Sequence, residues 1–453
     1  MPSKFFDRWT GLSGCPYTGR MLLEGWGRHP IVDAEISHPQ DTRAAADFSS
    51  LGRPLIPRGL GRSYGDSALA SRVLQSDRLT LILGFDADAG ILHCQAGLSL
   101  DEILRVFTPR GWFLAVTPGT VYVSVGGAIA ADVHGKNHHS AGCFSEGVLG
   151  FDLLLADGSV LTCSRDEHAD LFRATCGGMG LTGFILRATL QMKAIGSALI
   201  NQTTYKTRNL EALLERFEAT RTAPYSVAWI DCLSRGASLG RSLLDVGDFA
   251  SQGPLTAHVE PTLSVPFVPP LSPMSHLAMK AAAAVLYHRV LRRERRSLVH
   301  YESFFYPLDK ILHWNRMYGK SGFTQYQFVI PTAAGAEGLR SLLEAIAASG
   351  RASFLGVLKV MGAANANPLS FPLAGYTLAL DFKLERGLFE LLDELDAQVL
   401  DLGGRVYLAK DVRMGEKAFK RMYPRWQEFQ ALREKTGAKG RFASLQSKRL
   451  GLD

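Results

Sequence analysis

A chain of 453 residues, 46% apolar and 21% charged, can bury a full core and has room for two domains. Its net charge of +7 suits an anionic ligand or an acidic membrane surface, and no nucleic-acid motif accompanies it. The six cysteines (Cys15, Cys94, Cys143, Cys163, Cys176 and Cys232) form no CxxC pair and no metal spacing, which argues against a disulfide scaffold.

From the N-terminus, Met1-Pro2-Ser3-Lys4-Phe5-Phe6-Asp7-Arg8-Trp9 contains no apolar h-region and no twin arginine, and no uncharged run reaches transmembrane length. The compartments this leaves are the cytoplasm, the periphery of the inner membrane, or a periplasm reached without an evident signal peptide. Residues 20–57 read as a β-rich entry with a helix near Asp41–Leu51. Then comes Arg58-Gly59-Leu60-Gly61-Arg62-Ser63-Tyr64-Gly65-Asp66, with three glycines in seven residues and two arginines. Glycine tolerates positive φ and close backbone approach, and successive N–H groups in such a turn can cradle an anion. The loop is therefore either a pyrophosphate cradle or a tight surface turn.

Leu79–Leu83 and Ile91–Ala96 read as strands around an Asp/Gly turn. Ser99 and Glu102 make a capping box for a helix with Leu100, Ile103, Leu104 and Phe107 on one face and Gly111 at its end. The small residues of Thr117-Pro118-Gly119 and Gly126-Gly127-Ala128 would let a flat ring lie against backbone. The loop from Asp132 to Gly142 carries His134, Lys136, His138 and His139. A metal site would need a helix to bring His134 and His138 together. Gly135 and Asn137 oppose that helix, so no metal is assigned. Gly178-Met179-Gly180-Leu181-Thr182-Gly183 matches GxGxxG but follows a predicted helix and lacks a later acidic residue, so a Rossmann site is rejected.

The pattern changes near Met192–Gly196 into strands alternating with helices, predicting an α+β unit with helices on one sheet face. Three helix faces stand out: Leu210/Leu213/Leu214/Phe217, Leu339/Leu342/Leu343/Ile346 and Leu388/Leu391/Leu392/Leu395. Candidate strands are Ser226–Cys232, Gln325–Pro331, Phe354–Val360 and Tyr376–Phe382. Residues 252–273 carry six prolines and read as an irregular lid. An Ala-rich helix over Leu277–Leu291 follows, then Arg292-Arg293-Glu294-Arg295-Arg296. Those arginines suit an anionic membrane surface or, equally, a solvated helix end. Gly404–Asp411 reads as a strand running into a loop, with a helical tail from Glu416.

Together these motifs resemble the FAD domain of the vanillyl-alcohol oxidase / p-cresol methylhydroxylase superfamily. His134–Gly142, Phe305-Tyr306-Pro307-Leu308-Asp309, Gln325-Tyr326-Gln327-Phe328 and Ala409-Lys410-Asp411 narrow the resemblance to its decaprenylphosphoryl-β-D-ribose 2′-oxidase branch. The resemblance implies a two-domain PCMH-type fold of class α+β. Residues 1–196 would form the FAD domain. Residues 197–404 would form a substrate domain of antiparallel sheet and helices over the flavin, and residues 405–453 would return to the FAD domain. It also implies non-covalent FAD: the His that tethers the cofactor in many relatives is missing from the Arg62-Ser63-Tyr64 stretch.

By the same resemblance, Arg58, Gly59, Gly61, Arg62, Ser63, Tyr64, Thr117, Pro118, Gly119, Gly126, Ala128, His134, Asn137, Gly183 and Tyr407 would contact the cofactor. Tyr64, Lys136, Gln327, Ala379 and Lys410 would face substrate. Ala379 stands where mycobacterial relatives carry a cysteine, a thiol the oxidation does not need. Lys410 is the first candidate for the catalytic cation or base and His134 the second. A surface ion pair between Lys410 and Asp411 is the bland alternative. The implied reaction is oxidation of the 2′-hydroxyl of a polyprenylphosphoryl-β-D-ribose, with an NAD(P)H-dependent keto-sugar reductase as partner. An oxygen-using alditol or aldonolactone oxidase and a non-catalytic flavin- or membrane-binding protein are the competing readings.

Overall fold

The computed structural model describes residues 18–50, 52–270 and 272–453. Cys15, Leu51 and the stretch read for a signal peptide lie outside them. The fold is α+β, built on three main sheets.

The first sheet holds β1 (Thr18–Glu24), β2 (Ile31–Ser37), β3 (Ile56–Arg58) and β4 (Arg72–Gln75) in the order β1-β2-β4-β3. Helix α1 (Thr42–Ser49) starts where Asp41 Oδ1 accepts from Ala44 N at 2.8 Å, a cap worth about 1 kcal/mol.

The second sheet holds β5 (Ile82–Asp86), β6 (Ile91–Gln95), β7 (Trp112–Leu114), β8 (Val148–Leu154), β9 (Val160–Ser164) and β10 (Phe184–Ala194). β5 starts later than expected because Leu79 turns into the core, its N–H bonded to Ser76 O. Helix α2 (Leu100–Phe107) has the expected capping box and buries Leu100, Ile103, Leu104 and Phe107. The short helices α3 (Val125–Ala130), α4 (His138–Ala141) and α5 (Ala169–Thr175) follow.

The third sheet has eight strands. Its members are β11 (Leu199–Thr207), β12 (Tyr225–Ile230), β13 (Ser242–Phe249), β15 (Glu294–His300), β17 (Phe323–Pro331), β18 (Ala352–Met361), β19 (Gly375–Lys383) and β20 (Arg405–Val406). The spatial order is β15-β11-β13-β12-β18-β19-β17-β20. A separate parallel pair, β14 (Leu263–Ser264) with β16 (Ile311–Leu312), ties down the proline-rich segment. Helices α6 (Leu210–Ala219), α9 (Gly335–Ser349) and α10 (Leu388–Asp401) bury the three predicted leucine faces against Phe328, Leu358, Leu378 and Leu380. Side chains alternate across a strand. Gln327, Lys359, Thr377, Ala379 and Asp381 therefore share the opposite face, in register at Gln327↔Ala379, Lys359↔Thr377 and Gln325↔Asp381.

The arginine run corrects an expectation. Helix α7 (His276–His288) ends before it, and Arg295 and Arg296 lie on the edge strand β15, paired with Thr204 and Thr203. Helix α8 (Tyr301–Phe305) follows that strand.

The tail carries α11 (Glu416–Met422), α12 (Trp426–Lys435) and α13 (Leu445–Arg449). It rejoins the start of the chain: Leu55 N bonds Arg441 O at 2.9 Å, and Ala443 N bonds Leu55 O at 2.8 Å.

Candidate active site

The glycine loop leaves β3 and is shaped by its own arginine. Arg58 donates to Glu24 O at 2.8 Å and to Ala68 O at 3.3 Å. Gly61 closes over it at φ +67°, where a Cβ would meet Arg58 Nη2 at 2.3 Å. Arg58 thus lies under the loop as its scaffold, its acidity strengthened to a pKa of about 10 by burial. Gly59 packs on the N-cap of α3, where a Cβ would stand 2.2 Å from Ser124 Oγ. Arg62 stacks 4.1 Å over the Trp26 ring and 5.2 Å from Tyr122. Trp26, which the sequence reading passed over, also donates its backbone N–H to Ser63 O at 2.8 Å.

The second wall comes from residues 115–142. Thr117 Oγ1 and Tyr306 OH are 2.6 Å apart, and Asp309 accepts from Val121 N at 2.8 Å. The Phe305–Asp309 motif therefore braces the Thr117-Pro118-Gly119 turn. A Cβ on Gly119 would meet no protein atom within 4 Å, so the space beside it is free for a ligand. Gly126 and Gly183 serve close packing: their Cβ positions fall 3.1 Å from Ala96 Cβ and 2.6 Å from Leu154 O. Ala128 is buried. Asn137 is occupied by donating to Ala115 O at 2.9 Å. Asp132, also unforeseen, accepts from Ser370, Asn365 and Asn367 at 2.6, 2.8 and 3.0 Å, and so fastens this loop to the segment before β19.

The histidines of this loop are engaged by protein. His138 accepts from Gly362 N at 3.0 Å, His139 donates to Ala223 O at 2.8 Å, and the His134 and His138 ring centroids are 6.3 Å apart. Among the described residues no group of three or more His, Cys, Asp or Glu is placed to hold a metal.

His134 has a defined polarity. Thr377 Oγ1 donates to the backbone oxygen of Phe328 at 2.8 Å, so it must accept from Gln327 Nε2 at 3.2 Å. That fixes the Gln327 amide, whose second hydrogen points to His134 Nε2 at 3.0 Å. Nε2 is therefore the acceptor and the proton sits on Nδ1, a buried atom with no protein partner. Burial, then the nearby Lys359, His138 and Lys410, hold the ring far below the usual imidazole range and keep it neutral. Tyr407 packs 5.3 Å from the His134 ring and donates to Ala131 O at 2.8 Å.

Three lysines converge from different elements. Lys136 comes from the histidine loop, Lys359 from β18, and Lys410 from the turn after β20. Each is half-buried as a residue but lies deep among protein atoms, and that depth sets the acidity of its amine. Burial pushes Lys136 down to about 8 against the pull of Asp245. It pushes Lys410 down to about 7 against Asp381. Lys359 also falls to about 7, first by burial and then by repulsion from Lys136 and Lys410. Lys136 donates to Phe304 O. Lys410 sits 3.8 Å over the Tyr64 ring, whose phenol burial holds well above its usual range. Among the described residues none of the three amines has a carboxylate within ion-pair distance.

The expected alternative for Lys410 is thereby overturned. Asp411 pairs with Arg449 at 2.9 Å, which with Arg413 outweighs burial and holds its carboxyl below the usual range. Lys359 escaped the sequence reading. Its one signal was a charged residue inside the apolar run Gly356-Val357-Leu358-Lys359-Val360-Met361. Asp381 lies behind Lys410, pushed up to about 6 by burial while accepting from Gln325 at 2.8 Å and Tyr318 at 3.2 Å.

Residues 32–164 match an FAD binding domain family. The chain is 38% identical to decaprenylphosphoryl-β-D-ribose oxidase of Mycolicibacterium smegmatis over 462 aligned residues, 96% of this chain and 98% of the relative. The chain is a member of the decaprenylphosphoryl-β-D-ribose oxidase family. A Streptomyces coelicolor protein described as an uncharacterized protein in the mprA 5′ region is 35% identical over 78% of this chain and all of that protein. D-arabinono-1,4-lactone oxidase of Yarrowia lipolytica is 28% identical over 37% of this chain and 32% of its own length.

Like the family, the chain is an FAD-dependent oxidoreductase. Its residues fit the cofactor: the open space at Gly119 and the unpartnered Nδ1–H of His134 are features a bound flavin would use. Among the described residues no helix is long and apolar enough to cross a membrane.

Proposed function

We propose that this enzyme oxidises the 2′-hydroxyl of a polyprenylphosphoryl-β-D-ribose to the 2′-keto sugar. This is the first half of an epimerisation, which a separate NAD(P)H-dependent keto-sugar reductase completes. The observation that carries the reading is the set of three deep-set amines with no carboxylate partner among the described residues, because a site built this way favours a phosphate-bearing substrate over a neutral sugar. The division into residues 1–196, 197–404 and 405–453 as FAD domain, substrate domain and returning segment belongs to the same proposal.

FAD, held without a covalent bond, supplies the hydride acceptor. The backbone of Gly59 to Ser63 takes the pyrophosphate, with Arg58 and Arg62 as the positive frame. Thr117, Pro118, Gly119, Gly126, Ala128, Asn137, Gly183 and Tyr407 shape the wall against which the cofactor lies.

The protein's own task is the hydroxyl proton. Lys410 in its neutral form receives it, and a pKa near 7 leaves about half of the amine neutral at neutral pH. Protonation then places an ammonium over Tyr64 and near Asp381. His134 serves as a fixed neutral donor through Nδ1–H and not as the base, since both ring nitrogens already have their roles. Gln327 orients it. Lys136 and Lys359 hold the substrate phosphate, and Ala379, half-buried between Gln327 and Val357, leaves room for the sugar.

The test is an anaerobic titration of the FAD-loaded protein with a short-chain prenylphosphoryl ribose, following the oxidised-flavin absorbance. Bleaching that free ribose and alditols do not cause is the expected result. Bleaching by an alditol or aldonolactone alone would replace the substrate with a soluble sugar. A protein no sugar bleaches would support the non-catalytic reading.

A further inference from the structure

The surface around α7 has no use in the chemistry above. Leu277, Ala281 and Val285 recur every four residues and form one outward row on α7. Leu277 is 80% exposed, Val285 67% and Leu291 89%, values foreign to the core-facing side of a helix. From His276 to Arg296 the chain carries six Lys and Arg side chains against one Glu. Arg289, Arg292, Arg293, Arg295 and Arg296 are all exposed. Among the described residues only Arg296 of these is paired, to Glu294 at 3.1 Å.

We infer that α7 and the start of β15 form a docking face for an anionic lipid bilayer. An exposed apolar row rimmed by unpaired arginines matches the two parts of such a surface, acyl chains below and phosphates above. A helix of 13 residues is about 20 Å long, too short to cross a bilayer, and so lies in its surface. The rim has one carboxylate, so it does not complement a mixed-charge protein surface. The placement also connects to the site. α7 packs on β18, the strand that carries Lys359, so the docking face and the amine cleft share one structural element. A lipid-linked sugar could thus enter the cleft from the surface the enzyme rests on. This last step rests on the proposed function; the docking face does not.

The test uses the full FAD-loaded chain with vesicles of phosphatidylcholine alone and of phosphatidylcholine with phosphatidylglycerol, separated by flotation. The protein floats with the anionic vesicles and is released by high salt. Each arginine near such a surface is worth roughly fivefold in binding, so replacing Arg292, Arg293, Arg295 and Arg296 by Ser lowers vesicle affinity by about a hundredfold or more. Leu277→Ser with Val285→Ser weakens binding to the same vesicles at both low and high salt. Both variants retain FAD and are bleached by short-chain substrate in solution as the parent is, so a failure of the docking face and a failure of the substrate assignment are read separately. Three results would overturn the inference: no flotation of the parent, equal flotation with neutral vesicles, or a parent dimer that Leu277→Ser with Val285→Ser converts to monomer, which would assign the face to a second copy.

Discussion

Two regions of this molecule bury positive charge, and they treat it in opposite ways. Near the tail, Arg433 is fully buried and fully used. Its guanidinium donates to Leu181 O at 3.0 Å, Gln430 Oε1 at 3.0 Å, Phe442 O at 2.8 Å and Asp453 Oδ1 at 2.6 Å, and also to Leu452 O. In the candidate site, Lys359 and Lys410 are half-buried and lie deep among protein atoms, yet they make no hydrogen bond or ion pair to protein among the described residues. A cation with all its partners inside the protein is structural, and one left without them is waiting for a ligand or a proton. Both lysines fall to about 7, with burial the first cause for each.

The largest expected effect tests the cleft. Lys410→Met lowers the rate of flavin bleaching by about 10²–10⁴ if Lys410 takes the proton, and it leaves the melting temperature of the cofactor-free protein unchanged or raised. A variant that bleaches at the parental rate would remove Lys410 from the mechanism. The reverse pattern belongs to the knot. Arg433→Met costs about 3–5 kcal/mol in a denaturant titration, because it strands buried carbonyls and a carboxylate.

A third prediction uses pH. The amines of Lys359 and Lys410 have folded values near 7, below the 10.5 of an exposed lysine, so the unfolded chain binds more protons between those limits. Stability of the cofactor-free protein therefore rises as pH goes from 7 towards 10.5, by about 1.4 kcal/mol per pH unit for each amine. Lys359→Met removes one such share of the slope. Asp381, raised to about 6, works the other way at lower pH: its share of stability is present below the unfolded value and is lost as pH rises through 6. The bleaching rate itself rises with pH through about 7, as the Lys410 amine becomes neutral.

The smallest effect concerns polarity. Thr377→Val removes the hydroxyl that orients Gln327, so the His134 proton is no longer confined to Nδ1. Nitrogen NMR of histidine-labelled protein reads the tautomer directly, and the bleaching rate falls about tenfold. An unchanged tautomer would show that Gln327 does not need Thr377.

Much of the cofactor wall was legible in the sequence because glycine, capping and turn residues act locally. The loop at Gly59–Gly65, the box at Ser99 and Glu102, and the three leucine faces all needed only short-range rules. Lys359 was not legible, because a single lysine in a strand reveals its neighbours only once β18 is set beside β19. Asp132 was missed for a similar reason: its side-chain partners Asn365, Asn367 and Ser370 lie more than two hundred positions away. β11 reads Leu-Ile-Asn-Gln-Thr-Thr-Tyr-Lys-Thr and β15 reads Glu-Arg-Arg-Ser-Leu-Val-His. Neither has the apolar alternation that marks a strand: β15 is largely exposed, and much of β11 is only half-buried.

The returning tail has a consequence for how the enzyme is made. Asp66 pairs with Arg449, 383 positions later, and the ring of Tyr64 receives its cation from Lys410. A ribosome adding about 5–20 residues per second needs roughly 20–80 s to travel between the two ends of that pair. During this interval the glycine loop has emerged without the segment that closes it. Any step that needs Arg449 or Lys410 beside this loop is therefore open only after those residues have been added, and chains stalled before residue 410 lack the lysine that stands over Tyr64.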